Sequence, residues 1–309
     1  MRSRGGALLG VAIAAAVVVI VLLLLRGQAP VGQPSPSASL GATPTPSLNQ
    51  ELLTNRLTVL VIGLDTSESR RAQGLASANS DTMILASVSA DQSEVTLISL
   101  PRDTVDIPRS DGTTWTSKVN GIYAAEGVDA LVDAVSTLFG VPVDGYVQVD
   151  MDDLAALVDA VDGVEVNPPE PLDDTHASIN LHLSAGPQTL DGPTALAYVR
   201  TRVDKDYGRA ARQQQVLLEL VSRLVSPETD VDVSSLLDGL NSFETDLPLE
   251  DLPTLLEIGR RVQSATVTKQ VLQPPEFITF EGDAGDGRGY ILEPNVDAIR
   301  AYAARTIGD

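Results

Sequence analysis

The segment LTVLVIGLD, Leu57 to Asp65, is followed by TMILASVS, Thr82 to Ser89, and by EVTLISL, Glu94 to Leu100. The first is a continuous apolar run ending at a glycine and an aspartate, the pattern of a buried strand. The other two are rich in Val, Ile, Leu and Thr and flank the polar stretch Ala90-Asp91-Gln92-Ser93, which reads as a hairpin. In an antiparallel hairpin the start of one strand lies beside the end of the other. Asp81 therefore neighbours Arg102 and Asp103, and Asp65 reaches the same edge if its strand pairs next to the hairpin. Two carboxylates and an arginine then converge, and a divalent cation takes one or two carboxylates together with phosphate oxygens.

Downstream, KVNGIYAAEG (Lys118 to Gly127) reads as a loop entering a short helix, and VDALVDAVSTLFG (Val128 to Gly140) as an amphipathic helix. YVQVD (Tyr146 to Asp150) is a strand, DDLAALVDAV (Asp152 to Val161) a helix and GVEVN (Gly163 to Asn167) a further strand. Such alternation predicts an α/β layered domain with helices on both faces of a sheet.

Upstream, Arg2 and Arg4 precede GGALLGVAIAAAVVVIVLLLL, Gly5 to Leu25, which carries no charge. About 20 apolar residues cross a bilayer as a helix. A cleaved signal peptide has a shorter apolar region and a small-residue cleavage site, whereas this run ends in four leucines and Arg26. The expectation is an uncleaved, single-pass anchor in the cell membrane. Arg2, Arg4 and the amino terminus outweigh Arg26, which places the body outside the cytoplasm. From Gly27 to Ser47 the chain is rich in Pro, Ser, Thr and Gly, the composition of an extended tether. The expected layout is residues 1–26 as cytoplasmic tip and anchor, 27–48 as linker and 49–309 as one extracytoplasmic domain.

The 309 residues hold 21 Lys plus Arg against 42 Asp plus Glu, a formal net charge of -21. That acidity argues against nucleic acid, because polyanion binding depends on cations that release condensed counterions. Without cysteine there is no disulfide, thiolate nucleophile or Cys-based metal site. Against this background VRTRVDKDYGRAARQQQ, Val199 to Gln215, concentrates four arginines and a lysine. Asp191 and Pro193 open a helix through Ala197. An extended VRTRV then sends Arg200 and Arg202 out on one face. Asp206, Tyr207 and Gly208 turn the chain, and a long helix begins near Arg209. On a helical wheel Arg209, Arg212 and Gln213 share the side of Val216, Leu217, Leu220, Val221 and Leu224, with Ala211, Gln215, Leu218 and Ser222 opposite. Guanidinium groups on an inward face need an anionic partner, which points to a phosphate-like ligand.

Taken in order, SDTMILASV, SLPRDTVDIP, KVNGIYAAEG, VDAVDGVEV, GPQTLDGPTALAYVRTR and DYGRAARQQQVL resemble the LytR-CpsA-Psr family over about Leu57 to Leu224. The resemblance implies an α/β/α sandwich, a three-layer fold with a mixed twisted sheet and an apolar groove for a prenyl chain. It implies an extracytoplasmic phosphotransferase that moves a glycopolymer from a polyprenyl-pyrophosphate carrier to peptidoglycan, with Mg2+ or Mn2+ at the pyrophosphate. Asp65 and Asp81 match its metal-associated carboxylates. Arg102, Arg200, Arg202, Arg209 and Gln213 match its pyrophosphate-binding positions, and Lys118 and Arg212 further polar positions. Asp103 takes the acceptor proton or buttresses Arg102. Two features depart from the family pattern: the loop from Arg202 to Arg209 is short, and no arginine follows Asp65, leaving Arg70 or Arg71 for that place. His176 and His182 lie outside every motif. Two other readings stand beside this one, a transcriptional attenuator and a receptor that holds the lipid-linked glycan without turnover.

Overall fold

Strand β1 (Leu57–Leu64) is buried along its whole length and lies inside a six-stranded sheet. The structure is a computed structural model that describes residues 48–64, 79–150, 153–176, 179–226, 229, 232, 243–248 and 251–308. The charge-free run Gly5 to Leu25, the tether, Asp65, Arg70 and Arg71 lie outside the described residues. Among the described residues no helix is long and apolar enough to cross a membrane.

The expected hairpin is β2 (Ser80–Val88) and β3 (Glu94–Ser99), antiparallel to one another, with β2 antiparallel to β1. On the far side of β1 runs β6 (Gly145–Asp150), parallel to it, and then the short antiparallel β11 (Glu244–Thr245). Beyond β3 lies β12 (Thr266–Val271), parallel to it. The sheet is therefore mixed, and β1, β3, β6 and β12 all point the same way. Their carboxyl ends share one edge, where open α/β sheets bind ligands.

Alternate residues of β1 explain the two faces, because successive side chains point to opposite sides of a strand. Val59 and Val61 pack with Ile84 and Ala86 under α6 (Lys205–Val225) and α7 (Leu252–Arg261), with α1 (Gln50–Thr54) at the rim. Leu60 and Ile62 pack with Met83 and Leu85 on α2 (Gly121–Glu126), α3 (Val128–Phe139) and α8 (Val296–Thr306). Helices thus cover both faces of a mixed α/β fold.

A third apolar cluster forms a smaller lobe beside the sheet. It joins α4 (Asp153–Asp159), β7 (Val164–Val166), β10 (Gln188–Leu190) and α5 (Gly192–Arg200). The GVEVN strand belongs here, paired antiparallel with β10 and not with the central sheet. Three further two-stranded ribbons are β4 (Ile107–Pro108) with β5 (Thr114–Trp115), β8 (Leu172–Asp174) with β9 (Leu181–Leu183), and β13 (Ile278–Asp283) with β14 (Tyr290–Pro294).

Helix α6 is the shared wall. Leu218 and Val221 face the sheet, while Val216, Leu220 and Leu224 face the small lobe. Leu218 is buried, although the single-face wheel puts it outward. A helix clasped by two cores has apolar residues on more than one side, and period alone cannot show that.

Candidate functional site

The hairpin register builds the first half of the site. Ile84 faces Ser99, and the Leu100 amide donates to the Met83 carbonyl at 2.9 Å. Two residues further out, Arg102 Nη1 donates to both oxygens of Asp81 at 2.8 and 3.0 Å. Asp103 Oδ1 lies 2.7 Å from Lys118 Nζ, and its Oδ2 lies 3.7 Å from Arg102 Nε. Lys118 is brought there because the next two amides, of Val119 and Asn120, donate to the carbonyls of Thr104 and Arg102. The loop is closed from the far end of the chain: the Leu292 amide donates to Asp103 O and the Val105 amide to Leu292 O, both at 3.0 Å.

The second half comes from the arginine stretch, and the local structure differs from the expectation in three ways. Helix α5 runs to Arg200, so VRTRV is not extended, and Arg200 ends a helix instead of sharing a strand face with Arg202. Helix α6 starts at Lys205, so Asp206, Tyr207 and Gly208 form its first turn and not a loop. Lys205 itself has φ 69°, a left-handed value rare outside glycine. The third difference concerns Arg212 and Gln213. Arg212 is buried and its three nitrogens are engaged: Nε donates to Tyr198 O at 2.8 Å, Nη2 to Thr201 O, and Nη1 to Asp204. Gln213 Nε2 donates to Val199 O at 3.3 Å. The last carbonyls of a helix lack intrahelical donors, and these two side chains satisfy them for α5. Their inward direction was legible; their partners are backbone carbonyls and, for Arg212, also Asp204.

What remains is a cluster centred on Asp206, whose carboxylate lies 3.4 Å from Arg202 Nε, 3.4 Å from Arg209 Nη2 and 3.8 Å from Arg102 Nε. Arg202 Nη2 also stands 3.7 Å from Asp81. The sequence pattern assigns Asp206 to a turn and so does not mark it as a site residue. Its signal was present: four residues after Arg202 and three before Arg209 is ion-pair spacing on a helix.

Arg209 is 5% exposed. Burial, opposed by Asp206, lowers its pKa to about 10. Burial also works against the charge on Arg102, but Asp81, Asp103 and Asp206 outweigh it and hold this guanidinium above its ordinary value. The Nε atoms of both arginines are buried without a hydrogen-bond acceptor. A buried donor left unmade typically costs about 1–3 kcal/mol, more when charged. These donors suit an incoming oxyanion.

Next to the cluster an apolar slot of about 60 Å3 runs between β1, β2, β6 and helices α4, α5 and α6, lined by Val61, Ile84, Leu154, Val216 and Leu217, with Thr82 and Gln213 also in its wall. On the other side of Arg209 a cavity of about 340 Å3 is lined by Arg202, Lys205, Asp206, Tyr207, Glu281, Tyr290 and Leu292. No motif in the sequence pointed to Glu281 or Tyr290. His176 and His182 pair with Asp174 and Asp173 on the β8–β9 ribbon.

Among the described residues no group of three His, Cys, Asp or Glu side chains could hold a metal ion. Asp81 is nevertheless compatible with one: a single nitrogen of Arg102 occupies one acceptor position on each of its oxygens, and a carboxylate offers about four.

Comparison with known proteins follows the same outline. The sequence model of the LytR_cpsA_psr family matches residues 32–294. A polyisoprenyl-teichoic acid–peptidoglycan teichoic acid transferase TagU of Enterococcus faecalis is 34% identical over 199 residues, covering 63% of this chain and 62% of that protein. The transferase of the same description called TagV, of Bacillus subtilis, is 28% identical over 240 residues, covering 73% of this chain and 60% of that protein. The chain thus spans about three fifths of the length of these curated relatives. The crystal structure of B. subtilis TagV superposes with a TM-score of 0.64 at 23% identity, covering 82% of this chain and 98% of that one.

Proposed function

This chain belongs to the LytR_cpsA_psr family, and from that premise we propose that it is a membrane-anchored phosphotransferase working outside the cytoplasm. In this reading it moves a glycopolymer from a polyprenyl-pyrophosphate carrier to peptidoglycan and leaves a phosphodiester link. The names of its relatives support the substrate class, and the charge-free run Gly5 to Leu25 supports the anchor.

One observation carries the proposal: Arg102 and Arg209 each bury an Nε with no acceptor, around a shared carboxylate. Phosphoryl transfer needs positioning and charge stabilisation more than a covalent nucleophile, so arginines alone can serve a cysteine-free site. Arg102, Arg202 and Arg209 bind the pyrophosphate oxygens, with their forks matched to phosphate. The first turn of α6 adds the positive end of a helix. As the bond to the lipid phosphate breaks, the same groups hold the growing charge. Lys118 and Asp103 fix the Arg102 loop, while Arg212 and Gln213 fix the junction from which Arg202 projects. The apolar slot is in position to open for the prenyl chain. Asp65 and Asp81 would hold Mg2+ or Mn2+, which when bound neutralises pyrophosphate charge.

The test is to incubate the full chain in detergent with a polyprenyl-pyrophosphate oligosaccharide and peptidoglycan fragments, with and without magnesium. Metal-dependent release of polyprenyl phosphate with glycan joined to the fragments is expected. Tight binding of the donor without release would make the protein a receptor, not an enzyme.

A further inference from the structure

The cavity on the far side of the arginines shares Arg202 and Asp206 with the cluster and extends beyond it. Its wall is built by α6 and by the β13–β14 ribbon, distant from it in sequence. Tyr207 comes from the first turn of α6, while Glu281 on β13, paired with Leu292, and Tyr290 on β14, paired with Asp283, stand diagonally across the ribbon. Glu281 accepts hydrogen bonds from both phenols, from Tyr207 through Oε2 at 3.2 Å and from Tyr290 through Oε1. Burial, then Glu281 itself, pushes the Tyr290 phenol up to about 12 and raises that of Tyr207 further. Both therefore stay protonated and keep donating at neutral pH. Two single donors leave part of the carboxylate's acceptor capacity open, and among the described residues no salt bridge neutralises Glu281.

Transfer to a hydroxyl requires a group that takes its proton. Asp103, at the edge of the arginine cluster, is poorly placed for that, because Lys118 and Arg102 both draw on its charge. Glu281 has phenols where Asp103 has cations. Helix α6 also acts as a ruler. The cavity meets it at Lys205 to Tyr207 and the apolar slot at Gln213 to Leu217, with Arg209 between. At about 1.5 Å per residue, the two openings stand roughly 10 Å apart along the helix. A lipid pyrophosphate held at Arg209 with its tail toward the slot directs its other phosphorus toward the cavity. Tyr290, 47% exposed, offers an aromatic face to a sugar ring.

We propose that this cavity is the subsite for the acceptor saccharide and that Glu281, clamped by Tyr207 and Tyr290, takes the proton from the acceptor hydroxyl. The inference rests on the phosphotransferase reading above. The acceptor oxygen forms a bond to the phosphorus that carries the glycan. The bond from that phosphorus to the bridging oxygen breaks, polyprenyl phosphate leaves with the electron pair, and the proton passes to Glu281 and on to water. The charged groups facing Glu281 across the cavity are Arg202, Lys205 and Asp206.

The experiment compares full-length wild type with Glu281→Gln in detergent, using a polyprenyl-pyrophosphate disaccharide as donor and a soluble peptidoglycan fragment as acceptor. General base catalysis contributes about 10²–10⁴-fold, so kcat should fall by at least about 10²-fold. The acid limb of the pH profile should flatten, while the Kd for geranyl pyrophosphate stays at the wild-type value. Tyr290→Phe keeps the charge and loosens the clamp; it should raise the acceptor KM without changing that Kd, and it decides the matter if Glu281→Gln does not fold. Wild-type turnover and an intact acid limb in Glu281→Gln, or an unchanged acceptor KM in Tyr290→Phe, would overturn the subsite. A wild type that transfers nothing would instead overturn the phosphotransferase reading, and this inference with it.

Discussion

Arg102 and Arg209 reach the same carboxylate from opposite parts of the fold: Asp206 lies 3.8 Å from Nε of the first and 3.4 Å from Nη2 of the second. One arginine follows the end of a sheet strand and the other sits in a helix shared by two cores. Asp206 occupies the space between them, and a pyrophosphate would present more oxygens to the same guanidinium groups. The carboxylate keeps the cations together when no ligand is bound, and the buried Nε donors remain for the ligand.

Arg209→Met should separate folding from binding. Methionine removes a charge that burial already disfavours, with the pKa at about 10, and Asp206 retains Arg102 and Arg202. Hydrophobic replacement of buried ions is often neutral or stabilising, so the melting temperature should hold or rise. Affinity for geranyl pyrophosphate, measured by calorimetry, should drop by about 10–10²-fold, the worth of one charged hydrogen bond. Unchanged affinity with a lower melting temperature would make Arg209 a structural residue.

Arg212→Ala should do the reverse. It strands the carbonyls of Tyr198 and Thr201 together with the Asp204 carboxylate. Asp204 is 43% exposed and adds little, but each carbonyl left without its donor costs about 1–3 kcal/mol, which chemical denaturation would register directly. Lysine cannot reproduce three divergent donors, so Arg212→Lys should recover little of the loss.

Asp81→Ala should weaken the metal dependence of transfer, raising the magnesium concentration needed for half-maximal rate. It also frees Arg102, so geranyl pyrophosphate binding without metal should be retained or strengthened. Identical magnesium titrations in wild type and variant would remove Asp81 from the metal site.

Asp91 sets the turn between β2 and β3. The Ser89 hydroxyl, then the hydroxyl and amide of Ser93, lower its pKa from 3.8 to about 2. A carboxylate whose folded pKa is depressed adds stability above its unfolded value, and that stability is lost as pH falls through the folded one. Asp91→Ala should therefore melt earlier than wild type above pH 4, with the gap closing toward pH 2. A gap independent of pH would show that the loss is not ionic.

The hairpin and the Asp81–Arg102 pair were legible because register follows from turn length, and two strands suffice to place their ends. The arginine stretch was legible in composition but not in role. Whether Arg212 faces a ligand or the end of α5 depends on where two helices begin and stop, and that boundary was misplaced by several residues at Arg200 and again at Lys205. Asp206 was hidden by the same shift. Glu281 and Tyr290 were beyond reach for a different reason: their position depends on Leu292 exchanging backbone hydrogen bonds with Asp103 and Val105, a contact with no local trace in either segment.

That contact has a consequence for how the molecule comes into being. Synthesis proceeds from the amino terminus, so Arg102 and Asp103 exist well before Leu292 arrives to hold their loop. Pairings between distant parts of a chain form late and slowly. The strands around Ile62 and Ile84 can collapse early, but the pocket they border must wait for the carboxyl-terminal ribbon. Chains cut short before that ribbon lose α8 from one face of the sheet and lack a finished site, so competence is reached only when Leu292 and α8 are in place.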